Sequence, residues 1–482
     1  MAPVPVPALT STITASFSGD AVVEEEVLAS ILRFHPEIEA AIARRDQAQG
    51  DLLAARGGFD PRLLAEGEIV PQGYYDYRRV DAAILQPTPF WGIEVLGGYR
   101  VGLPDDVPSF APYNEDFRDA LDRGELRGEI KIPVYRGGPI DKRRAAIRKE
   151  RIRVERLEAE IRSERLFLSI EGIRSYWSWR AAVAKLRFAE QLADIAKARD
   201  EAVGQRVREG SMAPIERLEA TRALRERQQQ VIEAEQKALL SALKLGLFLR
   251  GPEGEPLPPT AALAPELENR VEDLDPRRRD QAYDAAVAGR PELEALRRKM
   301  SELEVQVELN QNQLFPKLDF KAKLSSDFGE NTVEPGREDE LEPTELKLGL
   351  ELDVPLLFRE ARGELAAARA EREELRQKIR FTIDKLQAEV ASAWVVLQTS
   401  QRNARIAIDL RELAEAVAAG ERRRFEVGAT DLFTVFLRET SAFDAASKAI
   451  DALATQRAAD TIFELSTCGT RPAHEALGIP PC

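Results

Sequence analysis

A glycine turn decides the fold of this chain: Arg424-Phe425-Glu426-Val427-Gly428-Ala429-Thr430-Asp431-Leu432. A long stretch without proline leads into the turn, and a second helical stretch, Asp431–Phe463, leaves it. Gly428 tolerates a backbone conformation that a Cβ atom would strain, so the chain can reverse direction here. The pattern predicts two long antiparallel helices joined at Gly428, which together form an α-hairpin.

The first half of the chain repeats this arrangement. A second glycine turn, Val207-Arg208-Glu209-Gly210-Ser211-Met212-Ala213-Pro214-Ile215, is followed by the helical stretch Pro214–Phe248. The segment His35-Pro36-Glu37-Ile38-Glu39-Ala40 recurs as Arg290-Pro291-Glu292-Leu293-Glu294-Ala295. Because such matches occur in the same order, we infer two tandem repeats. The predicted segments are a flexible N-terminus at 1–22, repeat 1 at 23–250, a Pro-rich linker at 251–280, repeat 2 at 281–465 and a tail at 466–482.

Apolar residues recur every seven positions in the predicted long helices. Heptad spacing of this kind predicts helix-on-helix packing with a left-handed supercoil. No proline interrupts the chain from Ile140 to Gly204, so this helix would be roughly 100 Å long at about 1.5 Å per residue. The repeating positions are Ile140, Ile147, Val154, Ile161 and Leu168 with Leu157 between them, and later Ile379, Ile383, Leu386, Val390, Ala393 and Leu397.

Four stretches alternate apolar and polar residues and therefore predict β-strands. They lie at residues 62–77, 126–135, 317–328 and 345–355. The alternation fits an ordinary sheet with one wet face, and runs of about 9–11 residues also fit a transmembrane β-strand. Four strands cannot close a membrane barrel, so in the second case several chains must share one barrel.

The segment 78–125 between the first two predicted strands is long and allows three interpretations. It contains Gln86-Pro87-Thr88-Pro89-Phe90-Trp91-Gly92 and an alternating run, Ile93–Val101. It fits an extracellular extension, a plug-like loop, or additional strands. Its aromatic residues Phe90, Trp91 and Tyr99 either form a girdle at a membrane interface or hold the segment together, and we favour the second role.

Composition excludes several classes of protein. The chain has 482 residues with 69 basic and 83 acidic side chains, so its formal net charge is −14. Nucleic acid is excluded as the main partner, because phosphate binding needs concentrated Lys and Arg. Only two His and two Cys are present, which leaves little material for a metal site or for Cys/His catalysis. We therefore expect no enzyme activity, no bound metal and no cofactor.

The ends of the chain carry weaker signals. The first residues lack a basic segment followed by an apolar core, so the sequence shows no recognisable secretory signal. Either the protein is cytosolic or a leader or lipid anchor precedes the sequence given. Cys468 and Cys482 lie in the tail and form a disulfide in an oxidising compartment or remain two free thiols; both alternatives stay open.

Each unit of helix, strand pair, long helix, glycine turn and returning helix resembles half of a TolC-family outer-membrane efflux protein. The resemblance covers roughly residues 23–465, and its most specific part is Phe425, Gly428 and Leu432, which is similar to the family's aromatic-x-x-Gly-x-x-x-Leu turn. It implies a mainly α fold with a small β part. Three chains would share a 12-stranded β-barrel in the Gram-negative outer membrane, continued by an α-helical tunnel in the periplasm.

The resemblance also implies partners and a gate. The tips would dock onto a periplasmic adaptor (membrane fusion) protein that recruits an inner-membrane pump. In well-studied members an Asp ring narrows the tunnel past the tip glycine, whereas the corresponding positions here are Thr434 and Leu437. A Tyr of the family's closed-state latch is replaced by Phe425, and its partner aligns with Glu216. The gate candidates are Glu216, Arg424, Phe425, Glu426 and Asp431.

Two further groups of residues are candidates for function. Acidic strand residues facing the lumen, such as Glu129, Glu351 and Asp353, would favour cations, although the neighbouring Lys131 and Lys347 weaken this preference. Six residues at the tips are candidates for adaptor binding, with internal packing an equally open role for the four that are not glycine. These six are Gly210, Ala213, Ile215, Gly428, Ala429 and Leu432.

The sequence therefore predicts a passive outer-membrane conduit. It would be a homotrimer in contact with outer-membrane lipid and would serve a tripartite efflux system or a type I secretion system, with energy from the inner-membrane pump. The alternative is a soluble, acidic coiled-coil scaffold protein. That alternative explains the heptads and the acidity but not the regular alternation of both pairs of strands.

Overall fold

The computed structural model describes residues 21–72, 77–102, 123–271, 273–328 and 344–467. The chain divides into two compact units. Unit 1 comprises Met1–Ala43, Ala159–Glu294 and Arg380–Cys482, and unit 2 comprises Arg44–Glu158 and Ala295–Ile379. Each sequence repeat contributes residues to both units. The predictions for the two cysteines, and nearly all of those for the N-terminus and the tail, lie outside the described residues.

The predicted long helices and their returning partners are present. Proline occupies the first position of α2, α4 and α6, where its missing N–H is not needed and its fixed φ suits a helix. The helices are α1 (Glu24–Phe34), α2 (Pro36–Arg56), α3 (Lys142–Arg208), α4 (Pro214–Leu245), α5 (Arg277–Gly289), α6 (Pro291–Asn312), α7 (Arg359–Glu426) and α8 (Leu432–Ser466). Among the helices of the described ranges, none is both long and apolar enough to cross a membrane.

Unit 1 has an apolar core into which α1 and the linker pack. Trp179 and Tyr176 of α3 are almost fully buried there. Val22, which the sequence assigns to a flexible N-terminus, is also fully buried, and its N–H donates a hydrogen bond to the carbonyl of Leu263 in the linker (2.9 Å). The Tyr176 hydroxyl donates to the Val22 carbonyl (3.2 Å). Val22 therefore belongs to the core of unit 1 and not to a flexible segment.

Unit 2 contains one antiparallel sheet of six strands in the order β1-β2-β3-β4-β5-β6. The sequence predicts four strands per chain, and this number is wrong because residues 77–87 and 94–102 form two more. The interpretation of segment 78–125 as additional strands is therefore correct for these residues. The strands are β1 (Arg62–Val70), β2 (Tyr77–Pro87), β3 (Glu94–Gly102), β4 (Gly124–Pro133), β5 (Lys317–Phe328) and β6 (Thr344–Asp353).

The pairing register gives the sheet two different faces. Successive residues of a strand point to opposite faces, so opposed residues can be followed across all six strands. One face is mostly charged and the other mostly apolar. The charged face carries Glu66, Asp81, Arg100, Arg127, Glu129, Lys321 and Glu351, and the apolar face carries Leu63, Ile84, Val95, Ile130, Leu324 and Leu350.

The alternating run in β3 is interrupted at Gly98 for a steric reason. Ala83 lies on the charged face of β2 opposite Gly98 of β3. A Cβ atom on Gly98 would lie 2.6 Å from the Ala83 Cβ and 2.8 Å from the Ala82 carbonyl oxygen. Glycine permits this close approach, but it interrupts the alternation from which strands are predicted.

The aromatic residues of the same segment have different surroundings. The Trp91 indole N–H donates to the Pro133 carbonyl (2.9 Å), and the Tyr99 hydroxyl donates to the Arg123 carbonyl. Phe90 is 74% exposed. Tyr99 therefore holds the segment together, as we expected, and Trp91 ties it to the end of β4, whereas the Phe90 ring is exposed.

Candidate functional site at the hairpin tips

The two tip glycines adopt the same conformation. Gly210 has a φ of +76° and Gly428 a φ of +74°, a region in which other L-residues are strained. The N–H groups of the following residues, Ser211 and Ala429, donate to carbonyls five residues earlier, at distances of 2.9 and 2.8 Å. This is a Schellman motif, which satisfies carbonyls at a helix end. The sequence repeat thus extends to the hydrogen bonds of the turns.

The helices that leave the two turns begin differently. Ala213 precedes Pro214 at the start of α4 and gives no side-chain cap. Asp431 caps α8, since its carboxylate accepts a hydrogen bond from the Thr434 N–H (2.7 Å). This bond holds the pKa of Asp431 below its ordinary value. Capping places the Asp431 carboxylate at the turn, where it satisfies one free donor of the helix.

The candidate adaptor-binding residues divide into exposed and buried positions. Ala213, Ile215 and Ala429 are exposed beside the glycines. Leu432 is only 3% exposed and packs against Val203 and Ala220 in a small apolar cluster, with Met212, Val207 and Phe425 at its edge. Of the two roles left open for Leu432, internal packing is the one the structure shows.

Two gate candidates influence each other at the base of the tips. Glu216 is half-buried, and its Oε2 atom is buried without a hydrogen-bond partner in the described part of the chain. Burial, followed by the negative charges of Glu219 and Asp431, raises the pKa of Glu216. Phe425 packs against the apolar cluster, so the aromatic ring that replaces the family's Tyr has a structural role.

The other gate candidates have neighbours on their own hairpin. The Arg424 guanidinium forms an ion pair with Glu421 (3.2 Å) and donates to the Ala429 carbonyl (3.3 Å). Glu426 is exposed in the last turn of α7. The structure therefore does not bring Arg424 or Glu426 together with Glu216.

An ion pair that joins the two hairpins was not predicted from the sequence. Arg199 of α3 makes a bidentate pair with Glu439 of α8, with both N–O distances 2.6 Å. Arg422 of α7 reaches the same carboxylate (3.4 Å). The hydrogen bonds to Glu439 raise the pKa of Arg199. The sequence does not single out Arg199, because Glu164, Glu171 and Lys185 occupy the same heptad position earlier in the helix.

Buried Arg227 makes a second contact between hairpins. It is 4% exposed and its guanidinium lies over the rings of Phe436 (5.5 Å) and Phe443 (5.3 Å) of α8. It also donates to the Thr440 hydroxyl (3.2 Å). Burial lowers the pKa of Arg227. Aromatic faces attract a guanidinium, so this residue ties α4 to α8 through the two rings and the Thr440 hydroxyl.

Comparison with known proteins identifies the family. The sequence profile described as "outer membrane efflux protein" matches residues 127–249 and 282–462, which is more than half of the chain. The chain belongs to this family. No curated protein sequence matches it significantly.

Solved structures of outer-membrane channels share its fold. The CusC channel is 12% identical, with 95% of this chain and 96% of that chain covered and a TM-score of 0.66. The CmeC outer membrane channel of Campylobacter jejuni is 12% identical, with 95% and 89% covered and a TM-score of 0.63. The open state of the MtrE outer membrane channel of Neisseria gonorrhoeae is 12% identical, with 94% of each chain covered and a TM-score of 0.62.

Family membership decides several predictions. This outer membrane efflux protein is the outer-membrane channel component of an efflux system, with its helical tunnel in the periplasm of a Gram-negative cell. It is a passive conduit and not an enzyme. The alternative of a soluble coiled-coil scaffold is not supported.

Unit 1 of the efflux protein also contains an open groove of about 1570 Å³ between α3, α4, α7 and α8. Its wall carries both signs of charge, including the ion pairs Lys185–Asp451 and Arg290–Glu389. Within the described ranges, no group of three or more His, Cys, Asp or Glu is placed to hold a metal ion.

In unit 2, two of the three candidate lumen acids of the efflux protein, Glu129 and Glu351, are paired with lysines. Glu129 contacts Lys323 (3.6 Å) and Glu351 contacts Lys321 (2.6 Å) across neighbouring strands. The charged face thus presents ion pairs where the sequence alone predicts exposed acids. Any preference for cations is correspondingly reduced.

Proposed function

We propose that this efflux protein works as a homotrimer whose hairpin tips dock onto a periplasmic adaptor protein, which in turn recruits an inner-membrane pump. The pump supplies the energy, and the trimer supplies a water-filled path for efflux or for type I secretion. The supporting observation is the pair of equivalent glycine turns at the ends of the two long hairpins. Turns with this conformation end both helices sharply and leave the residues beside them exposed.

The exposed side chains at the tips have the chemistry that a docking surface needs. Ile215 is 58% exposed and Val427 is 79% exposed. Ala213 and Ala429 are exposed beside them. Small and apolar groups near the turns allow close approach of a partner helix and lose contact with water when it binds. We assign adaptor docking to these residues and to the two glycines, with Leu432 as internal support.

Opening of the tunnel would separate the two hairpins at the tip. The contacts that must yield are those between α3 or α4 and α8, above all the pair Arg199–Glu439. Adaptor binding would shift the equilibrium if the adaptor binds the separated arrangement more tightly. Glu216 and Asp431, which carry like charges close together, favour separation when both are ionised. Phe425, Arg424 and Glu426 remain gate candidates at the rim.

The decisive experiment expresses the protein with a signal sequence in a Gram-negative host. It should fractionate with outer membranes and have the mass of a trimer in mild detergent. A monomer or dimer that is soluble without detergent would refute the proposal. In a strain that lacks its own channel, with an adaptor and a pump present, the protein should restore efflux of a fluorescent dye.

A tip variant separates docking from folding. Gly428→Pro removes the positive φ that the turn needs, because proline is restricted to a φ near −65°. We expect loss of efflux with the trimer intact. A variant that loses both the trimer and efflux would show that Gly428 serves folding and not the tip.

A further inference from the structure

We propose that β6 of one copy pairs with β1 of the next, so that three copies close a barrel of 18 strands. The resemblance to the TolC family implies 12 strands, four from each chain. The described sheet has six strands, and three sheets of six give 18. This inference rests on the homotrimer proposed above and adds the width of the pore.

The additional strands lie inside the sheet and not at its margin. β2 pairs with β1 over nine residues, from Arg62↔Leu85 to Val70↔Tyr77. β3 pairs with β2 over nine residues and with β4 over seven. Removing the hairpin would therefore leave β1 without its neighbour. The hairpin β2–β3 must be counted in the circumference of any barrel that the sheet forms.

A buried charge cluster fixes the hairpin to β4. Asp81 of β2 is 5% exposed and accepts hydrogen bonds from Arg100 of β3 (3.1 Å) and Arg127 of β4 (2.5 Å). Arg100 also lies 3.8 Å from Glu125. A buried carboxylate needs such partners, so the three strands depend on one another for charge compensation.

The turn of the hairpin is held at the other end. The Gln86 amide donates to the Phe59 carbonyl (2.8 Å), and Trp91 donates to the Pro133 carbonyl (2.9 Å). Glu94 forms an ion pair with Arg143 at the start of α3 (2.8 Å). These contacts join the turn to the segments that precede β1 and follow β4. The hairpin is thus fixed along its whole length.

The two free edges of the sheet match each other. Within the described residues, β1 pairs only with β2 and β6 only with β5. Unpaired backbone groups are costly in lipid, where an open edge must be closed by another strand. An even number of antiparallel strands gives the edges opposite directions, so β6 can continue the antiparallel order with β1 of a second copy. The edges are of similar length, nine and ten residues.

The exposed side chains at both edges also favour a second copy as the occupant. Leu346, Leu350 and Leu352 of β6 and Leu63 of β1 are all more than 60% exposed. They lie on the apolar face, while the alternate residues of both strands lie on the charged face. Pairing of β6 with β1 continues both faces around the ring, as a membrane barrel with lipid outside and water inside requires.

The two strand numbers predict different pore widths. Strands lie about 4.8 Å apart and tilt by about 40° in such barrels. Eighteen strands then give a ring with a backbone diameter of roughly 36 Å, and twelve give roughly 24 Å. The difference is large enough to be seen in projection by electron microscopy of the detergent-solubilised trimer.

The first experiment tests the edge contact by disulfide formation. The starting variant carries Cys468→Ser and Cys482→Ser. Glu66→Cys in β1 is then combined with one substitution on the same face of β6, which is Glu345→Cys, Lys347→Cys, Gly349→Cys or Glu351→Cys in turn. We expect at least one combination to give disulfide-linked trimers on a denaturing gel. The matched controls, Leu346→Cys and Leu348→Cys, lie on the opposite face and should not crosslink. A trimer in which no same-face pair crosslinks would overturn the inference.

The second experiment changes the strand number. Residues 71–124 are replaced by Asn-Gly, a two-residue turn that favours hairpins. This joins Val70 to Glu125, which lie on the same face, so β1 can pair with β4 in the correct register. The ring should shrink from roughly 36 to roughly 24 Å while the trimer persists. If this variant does not assemble, the ring diameter of the full-length trimer decides the strand number, because β1–β6 crosslinks are expected for either number.

The outcomes separate this inference from the proposed function. A full-length protein that is not a trimer refutes both. A full-length trimer with a ring of roughly 24 Å, or a deletion variant whose ring is unchanged, refutes only the 18-stranded barrel. A ring of roughly 36 Å with β1–β6 crosslinks supports both.

Discussion

Arg199→Met tests whether the ionic contact between α3 and α8 holds the two hairpins together. The change removes a bidentate partner of Glu439, whose side chain is 13% exposed. Breaking a buried pair by removing one partner costs about 3–5 kcal/mol. Since Arg422 remains 3.4 Å from the same carboxylate, we expect a smaller loss of about 2–3 kcal/mol in the local opening free energy.

Hydrogen exchange of the trimer in detergent measures this opening free energy. Amides of α8 near Glu439 should exchange roughly 30- to 150-fold faster in Arg199→Met, because about 1.4 kcal/mol corresponds to a factor of ten. Lys185→Met is the matched control, since it breaks another ion pair between α3 and α8. The side chains of Lys185 and Asp451 are 28% and 59% exposed, so that pair contributes at most about 1 kcal/mol.

The outcome that refutes this reasoning is specific. If Arg199→Met speeds exchange less than threefold, or no more than Lys185→Met does, the pair does not hold the hairpins together. A second variant tests the cause. Adding Glu439→Leu to Arg199→Met removes the buried carboxylate that has lost its bidentate partner, so part of the lost protection should return.

Three further predictions concern the tips, each measured by hydrogen exchange in the trimer. Gly428→Ala should destabilise its turn by about 1–2 kcal/mol because alanine is strained at the positive φ of this residue. The control is Gly420→Ala, which is equally uncrowded but lies within α7 and should stabilise that helix by up to about 1 kcal/mol. Equal effects of the two substitutions would contradict the strain argument. Asp431→Ala should speed hydrogen exchange of the Thr434 amide, whereas Asp431→Asn should not, since Asn also caps helices. Faster exchange of the Thr434 amide in Asp431→Asn would disprove capping. The pKa of Glu216 is raised in the folded protein, so the folded tip binds the Glu216 proton more tightly than the unfolded chain does, and stability is lost as pH rises from about 4.5 through the raised pKa. Compared with wild type at the same pH, Glu216→Gln should therefore slow exchange at pH 7 but not at pH 4. Equal effects at both pH values would refute the raised pKa.

The helical part of the fold could be predicted because two local signals agree there. Heptads identify the long helices, and a glycine that can adopt a positive φ identifies each tip. Both signals depend on residues close together in the chain. The structure confirms them in α3 and α7 and in the turns at Gly210 and Gly428.

The sheet was predicted incompletely because β2 does not alternate regularly and Gly97-Gly98 interrupt the alternating run in β3, so additional strands were only one of three interpretations. Gly98 and Ala83 lie in the same row of the charged face as Arg127 of β4 and Glu345 of β6. Gly98 carries no side chain because a Cβ atom there would lie too close to Ala83 and to the Ala82 carbonyl. Such a requirement exists only after the strands pair. A prediction from one strand at a time cannot detect it.

The tip site was predicted in position but not in its contacts. The glycines are local features, so they were found, whereas Asp431 was predicted as a gate candidate and not as the helix cap that it forms. Arg199 and Glu439 are 240 residues apart, and their pairing depends on how α3 packs against α8. Leu432 was assigned as a docking candidate although it is buried, since the sequence does not show which side of α8 faces Val203.

The inserted hairpin has a consequence for how such channels change during evolution. A single added strand would reverse the direction of every strand after it, so the helices that follow those strands would leave from the wrong end of the sheet. A hairpin adds two strands and leaves the later part of the chain in its original direction, with each face unchanged. Pore width can therefore increase only in steps of one hairpin per subunit, and each step needs one short duplication or insertion and no change in the sequence of the long helices.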